Sequence, residues 1–169
     1  PDPSDEIACI SVRYSLPMWM VEKWISVYGK EPVEKMGKAF LEERPVTVRR
    51  NTAVVSEEEF EKELEKDGVV YRRHPALPYA YELTNYDYLA GLLAFQKGYF
   101  YIQDISSMQV AEWADPKEGD YVIDVCAAPG GKAIHLAEKL SGTGYVEARD
   151  LTDYKVALIE ENIERSGLD

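Results

Sequence analysis

Cysteine is scarce in this chain of 169 residues. Only Cys9 and Cys126 are present, and their spacing matches no metal-binding motif. Two isolated thiols argue against a disulfide scaffold and fit a reducing compartment. We therefore expect a cytoplasmic protein with no bound metal.

The sequence also lacks a long apolar run. No stretch approaches the roughly 20 apolar residues that a membrane-spanning helix needs. The opening PDPSDEIACISV has neither the basic region nor the apolar region of a signal peptide. No membrane partner is expected. Because the chain does not begin with methionine, we expect it to be an excised or processed piece.

Basic residues are outnumbered by acidic ones. The 19 Lys and Arg residues face 31 Asp and Glu residues, which gives a net charge of −12. Binding to a nucleic-acid backbone needs Lys and Arg near the phosphates. The net charge therefore argues against nucleic-acid binding, although a local basic stripe on an acidic body remains possible.

The residues that are present fall into three segments, which together predict an α/β protein. Residues 1–44 place apolar and aromatic side chains at helical spacing. Residues 45–104 follow a βαββαβ order, as ferredoxin-like and RNA-recognition domains do, and Ser56 and Glu59 fit a capping box at its first helix. Residues 105–169 predict the first part of a Rossmann-like sheet, with a right-handed βαβ unit.

The most informative stretch joins the first parallel strand to a helix. It reads DVCAAPGGK, from Asp124 to Lys132, and doubly wound sheets bind nucleotide-like ligands at this place. A P-loop would need Gly at Cys126 and Ser or Thr at Ala133, so that motif fails twice. The dinucleotide fingerprint G-x-G-x-x-G is also absent.

A nucleoside ligand without pyrophosphate remains, and S-adenosylmethionine is the common one. Asp150 supports this interpretation, because it ends the second strand, where a carboxylate can accept hydrogen bonds from ribose hydroxyls. A plain glycine turn with a surface aspartate is the alternative.

The same stretch carries a family resemblance. DVCAAPGGKAIHLAE resembles the first motif of the RNA 5-methylcytosine methyltransferases, D-x-C-A-A-P-G-G-K-T-x-x-L. Three further stretches are similar to the bacterial 16S ribosomal RNA branch of that family, the RsmB or Sun/Fmu type: SVRYSLPMWMVEKWISVYG, RPVTVRRNT and EARDLTDYKVALIEENIERSGL. The similarity extends over nearly the whole chain from about residue 10.

The resemblance implies a cofactor site and a reaction. It places the ribose-binding acid at Asp150 and the rest of the S-adenosylmethionine site at Cys126, Ala127, Ala128, Pro129, Gly130, Gly131 and Lys132. It implies that the parent protein methylates cytosine C5 in small-subunit ribosomal RNA, using cysteines on later loops. The chain departs from the family pattern at Ala133, usually Thr, and at Ile105, where an acid is usual.

No catalytic residue is expected within this chain, which we predict to be inactive by itself. Cys126 belongs to the cofactor turn, where a small buried thiol is the better interpretation, and Cys9 precedes the βαββαβ segment. Two parallel strands would leave an open edge and an uncovered apolar face. We therefore expect self-association or extensive packing across residues 120–150, or else disorder there.

RNA binding is assigned to four arginines expected on neighbouring strands: Arg49, Arg50, Arg72 and Arg73. They would give weak, strongly salt-dependent binding by residues 45–104, and a solvated strand face is the alternative. His135 is expected to be packed against its neighbours rather than to act as a base. A function of another class also stays open, that of an RNA-docking or assembly module that keeps a methyltransferase fold without activity.

Overall fold

The first 44 residues form a compact unit of three helices. The computed structural model describes residues 1–168, and the chain divides between Arg44 and Pro45. The helices are α1 (Glu6–Tyr14), α2 (Met18–Tyr28) and α3 (Lys30–Leu41). One apolar residue from each helix is buried in a common core, namely Ile10, Val21 and Val33. No helix among residues 1–168 combines the length and apolarity needed to cross a membrane.

The second unit begins with a four-stranded antiparallel sheet. Its elements are β1 (Val46–Arg50), α4 (Glu57–Lys66), β2 (Val70–Arg73), β3 (Ala80–Thr84), α5 (Leu93–Gln96) and β4 (Phe100–Ile102). The predicted βαββαβ order is therefore confirmed, with the strands in the spatial order β2-β3-β1-β4. The second helix of this order is interrupted, because Leu92 is extended between a 3₁₀ turn (Leu89–Gly91) and the single turn of α5.

Helix α4 covers one face of this sheet. Ser56 caps the helix by accepting a hydrogen bond from the Glu59 amide at 3.2 Å. The Glu59 carboxylate accepts from the Tyr99 hydroxyl at 2.9 Å rather than from the Ser56 amide, so the reciprocal half of the capping box is not formed. Phe60 and Leu64 lie on the inner side of α4 and are fully buried in the core of the sheet.

The rest of the second unit alternates helices and parallel strands. It contains α6 (Ile105–Ala114), β5 (Tyr121–Asp124), α7 (Gly131–Leu140), β6 (Tyr145–Ala148) and α8 (Asp153–Ser166). Strands β5 and β6 pair in parallel, in register from Tyr121 with Tyr145 to Asp124 with Ala148, which confirms the predicted βαβ unit. Parallel pairing brings the carboxyl ends of both strands to the same edge.

Polar contacts join the end of α8 to the four-stranded sheet. Asn51 is fully buried, and its Nδ2 donates to the carbonyls of Gly98 at 3.0 Å and Ser166 at 2.9 Å. Gly98 has a φ of +68°, and a Cβ there would lie 2.0 Å from the Arg165 carbonyl oxygen. The backbones of the two elements therefore approach too closely for any side chain at Gly98.

One face of β5 is open. Tyr121 and Ile123 lie on the same face of the strand and are 60% and 48% exposed, and Val125 just after the strand is 66% exposed. Residues 120–150 are nevertheless arranged in regular elements. Self-association across this region stays a prediction.

Candidate cofactor site

The turn between β5 and α7 is tightly closed. The Ala127 amide donates to the Arg149 carbonyl at 3.0 Å, and the Gly130 amide donates to the Ala127 carbonyl at 2.6 Å. The Ala128–Pro129 peptide bond is cis, and Gly130 has a φ of +109°, a conformation that residues with a side chain rarely adopt. The chain thus reverses direction within a few residues and enters α7 directly.

The beginning of α7 presents backbone donors. Gly130 is the N-cap residue and has no side chain with which to cap the first amides of the helix. No acidic residue stands in the first turn either. These amides and the positive end of the helix dipole favour an electron-rich group of a ligand.

Asp150 meets the turn at the carboxyl edge of the two parallel strands. It lies two residues after β6, and its Oδ2 accepts from the Ala128 amide at 3.0 Å. Its Oδ1 accepts from the Leu151 amide at 2.7 Å and lies 3.1 Å from Lys155 Nζ. The hydrogen bonds from Leu151, Ala128 and Lys155 hold the pKa of the Asp150 carboxyl below its usual value. Asp150 is therefore a charged acceptor attached to the turn.

A residue of α8 holds the turn from the other side. Asn162 donates from Nδ2 to the Pro129 carbonyl at 3.0 Å, and its Oδ1 accepts from Arg165 at 2.9 Å. Arg165 also donates to the Phe100 carbonyl of β4 at 3.1 Å. Asn162 could not be identified from the sequence, because an asparagine in the middle of a helix carries no local signal for a contact 33 residues away.

Arg49 does not lie on the RNA-binding surface predicted from the sequence. The side chain is fully buried rather than exposed, and its guanidinium pairs with Glu138 of α7. Its Nε donates to Gln103 Oε1 at 2.7 Å. A residue with no exposed surface cannot contact a phosphate backbone, so the assignment of Arg49 to RNA binding is wrong.

The other three arginines are not assembled into one patch either. Arg50 donates to the Val55 carbonyl at 2.7 Å, Arg72 pairs with Glu82, and Arg73 pairs with Glu57 and Glu61. Strand β3 lies between β1 and β2, so the expectation that these arginines share neighbouring strands is wrong. RNA contacts by the exposed Arg72 and Arg73 stay a prediction, and each would have to compete with a carboxylate that is already bound.

The expectation that Cys126 is buried is wrong, whereas the expectation that His135 is packed is confirmed. Cys126 is exposed rather than buried, because β5 ends at Asp124 and Cys126 already lies in the turn. His135 is packed as expected: it is 3% exposed and its ring meets the Tyr79 ring edge-to-face at 5.1 Å. Lys132, in the first turn of α7, is partly exposed.

Cavities border the cofactor turn without joining it to Asp150. One of about 390 Å³ runs along β6 between α7 and α8 and is lined mainly by apolar groups such as Ala137, Val146 and Ile163. A cavity of about 180 Å³ borders the turn at Pro129 and Gly131. The turn and Asp150 instead meet by direct contact.

Comparison with known proteins accounts for most of the chain. Residues 16–87 match the ferredoxin-like domain of RsmF/B-like methyltransferases, and residues 111–169 match the 16S rRNA methyltransferase RsmB/F family. Together these segments span well over half of the chain. The chain belongs to the RsmB/F methyltransferase family.

Two curated methyltransferases are similar to this chain. The chain is 36% identical over 164 residues to a probable ribosomal RNA small subunit methyltransferase B of Bacillus subtilis, covering 97% of this chain and 36% of that protein. It is 46% identical over 80 residues to a tRNA (cytosine(72)-C(5))-methyltransferase of Pyrococcus horikoshii, covering 47% of this chain and 21% of that protein.

A solved structure shares the fold of this chain. The structure of NSun6 from Pyrococcus horikoshii with SFG, an analogue of S-adenosylmethionine, superposes with a TM-score of 0.76 at 25% identity. That match covers 88% of this chain and 62% of the other. The chain spans about a third of the length of the curated Bacillus subtilis relative.

Proposed function

We propose that this chain binds S-adenosylmethionine through the Cys126–Lys132 turn and Asp150, as the cofactor-binding part of an RNA cytosine-C5 methyltransferase. The observation that carries the proposal is the hydrogen bond from the Ala128 amide to Asp150, which joins the turn to the acid after the next strand. Membership of the RsmB/F family and the SFG ligand of the NSun6 relative support the choice of cofactor.

The chemistry of the site fits this ligand. Gly130 and Gly131 place backbone without side chains at the entry to α7, so a ligand can lie directly against it. The free amides there are donors for the methionine carboxylate. When bound, S-adenosylmethionine supplies an electrophilic methyl group, while the turn would hold its methionine end and Asp150 its ribose.

Asp150 has few free acceptor positions for the hydroxyls of a ribose. Its Oδ1 already receives the Leu151 amide and the Lys155 ammonium, whereas Oδ2 receives only the Ala128 amide. A carboxylate oxygen accepts about two hydrogen bonds. We propose that one ribose hydroxyl donates to the free position on Oδ2 and that the half-exposed Lys155 side chain leaves Oδ1 for the other.

We propose small-subunit ribosomal RNA as the substrate of the whole protein, modified in the cytoplasm. The Bacillus subtilis relative aligns with 97% of this chain, whereas the transfer-RNA relative aligns with 47%. The two cysteines are both free thiols, which fits a reducing compartment. An assembly module without activity gains no support from the arginines assigned to RNA, because Arg49 is buried and Arg72 and Arg73 are paired with carboxylates.

The experiment that tests the cofactor proposal is calorimetric titration of the chain with S-adenosylmethionine. Asp150→Asn should weaken binding by about 1.5–3 kcal/mol, or roughly 10- to 150-fold, because it removes the charged acceptor while keeping a carbonyl for the Ala128 amide. Asp153→Asn is the matched control, since Asp153 lies three residues further on at the exposed start of α8. Equal affinities for both variants would refute the ribose role of Asp150.

A further inference from the structure

Arg49 reaches from the four-stranded sheet into the support of the cofactor turn. It lies on β1, an interior strand of the sheet, and is fully buried. The guanidinium lies 4.4 Å from the centre of the Tyr101 ring, pairs with Glu138, and has one nitrogen 3.5 Å from the Gly131 carbonyl oxygen. Its Nε–H donates to Gln103 Oε1. One side chain thus contacts both sheet residues and the first residue of α7.

The two contacts on α7 lie about two turns apart. Gly131 is the first residue of the helix, and Glu138 stands seven positions later on the same side. Contacts at two levels restrict both the rotation and the tilt of a helix. The Glu138 side chain is only 3% exposed, so its charge depends on the arginine, and breaking a buried pair is strongly unfavourable.

A second connection runs from the same sheet to the same turn. The Phe100 carbonyl of β4 accepts from Arg165, which donates to Asn162, and Asn162 donates to the Pro129 carbonyl. Arg165 is also packed over the Phe95 ring at 4.3 Å, which fixes its guanidinium. The turn is therefore held at Pro129 and at Gly131, and both connections begin on strands of the ferredoxin-like sheet.

We propose that Arg49 and Asn162 are positioning residues for the cofactor turn, through which residues 45–104 set the affinity for S-adenosylmethionine. This inference rests on the proposed function. A ligand bound by backbone groups gains affinity when those groups are held in place beforehand, because less ordering is needed on binding. The ferredoxin-like sheet then contributes to the cofactor site through the side chains that hold the turn.

The test uses the whole chain and two matched variants of β1. Arg49→Lys keeps a positive charge for Glu138 but loses the planar fork that reaches Gln103 and Gly131. Val48→Ala is the control, because Val48 is the adjacent residue and is buried in the core on the opposite face of the sheet. Thermal unfolding measures how much each variant destabilises the fold.

Two measurements then separate positioning from stability. In calorimetry, Arg49→Lys should bind S-adenosylmethionine about tenfold more weakly than Val48→Ala. In hydrogen exchange without ligand, the amides of Ala128 and Gly130, both hydrogen-bonded in the turn, should exchange faster in Arg49→Lys relative to the Phe60 amide of α4. Val48→Ala should leave that ratio unchanged.

Asn162→Ala provides a second variant if Arg49→Lys does not fold. It leaves the buried Arg49–Glu138 pair intact and removes the donor to the Pro129 carbonyl, so the same loss of affinity and the same faster exchange are expected. A wild-type chain that binds S-adenosylmethionine, with variants that bind and exchange like the control, would overturn the inference and leave the proposed function standing. A wild-type chain that does not bind it would refute the proposed function, and the inference would fail with it.

Discussion

His135 occupies an environment that disfavours its charged form. It lies on α7, and burial lowers its pKa to about 3. The positive charges of Arg49 on β1 and Lys139 on α7 act in the same direction, while Glu112 of α6 opposes them. The ring is thus kept neutral against Tyr79, and a neutral imidazole with this pKa is a packing group rather than a base near neutral pH.

This burial predicts a pH dependence of stability. Because the folded-state pKa of His135 lies below the unfolded value of about 6.5, His135 is protonated in the unfolded chain but neutral in the folded chain at pH values between the two. Stability should be unaffected by His135 above about pH 7 and should fall as the pH decreases towards 3, by about 2 kcal/mol between pH 7 and pH 5.

Chemical denaturation at several pH values measures this effect as a difference between variants. His135→Gln should lose this part of the slope, whereas His74→Gln, which replaces the other histidine of the chain, should retain it. Identical slopes for His135→Gln and wild type between pH 5 and 7 would contradict the prediction.

At the scale of single residues, the sequence was informative where the chemistry is local. The turn DVCAAPGGK and the acid after the next strand were sufficient to predict that Gly130 and Asp150 lie at one edge of the sheet, since both positions follow strand ends. The burial of Arg49 could not be predicted, because its partner Glu138 is 89 residues away. The alternation of side chains along β1 indicates which face of the sheet Arg49 lies on, but not which element covers that face.

At the scale of elements, the approach of α5 to α8 depends on Gly98. Its φ of +68°, and the 2.0 Å that would separate an added Cβ from the Arg165 carbonyl oxygen, predict two costs for Gly98→Ala, one from the backbone and one from the clash. Gly68 has nearly the same φ, +70°, with nothing within 4 Å of its Cβ position. Gly68→Ala is therefore a control that carries the backbone cost alone.

The difference between the two variants isolates the contact between elements. Gly98→Ala should destabilise the fold by about 1–3 kcal/mol more than Gly68→Ala, the usual range for overpacking. Urea unfolding of both variants provides the comparison. Equal midpoints and slopes would mean that α8 does not lie against the residues around Gly98.

The order of the elements along the chain could be predicted from the sequence, but the order of the strands within the sheet could not. Apolar periodicity and the Ser56 cap are local signals, and they define α4 and the strands around it. The placement of β3 between β1 and β2 depends on long-range pairing, from Val46 with Leu83 to Val70 with Thr84. That placement separates Arg49 and Arg50 from Arg72 and Arg73, and it removes the predicted joint surface.

At the scale of the whole molecule, we expect the purified 169-residue chain not to methylate RNA. Activation of cytosine C5 needs a thiolate that adds to C6, and the chain offers only Cys9 and Cys126. Cys9 belongs to the N-terminal helical unit, and Cys126 lies in the turn that we assign to the cofactor. Labelled S-adenosylmethionine and ribosomal RNA, with no other protein, provide the assay. Incorporation of label by this chain alone would contradict the expectation.

The three predicted segments and the two compact units divide the chain differently. Both place a boundary after residue 44, whereas the boundary predicted after residue 104 falls inside the second unit. The division at 104 stays a prediction about sequence segments. Composition and element order change there, but the hydrogen bonds of Arg49 and Asn51 connect the two sides of that boundary.

The buried Arg49–Glu138 pair limits how such a protein could exchange its parts. A chimera that replaced residues 45–104 with another ferredoxin-like module would leave Glu138 without its cation and the Ser166 carbonyl without Asn51. The recipient would need a matching arginine and asparagine, or an apolar residue in place of Glu138. Grafting at the boundary between Arg44 and Pro45 avoids this problem, so recombination of natural or designed modules should succeed there first.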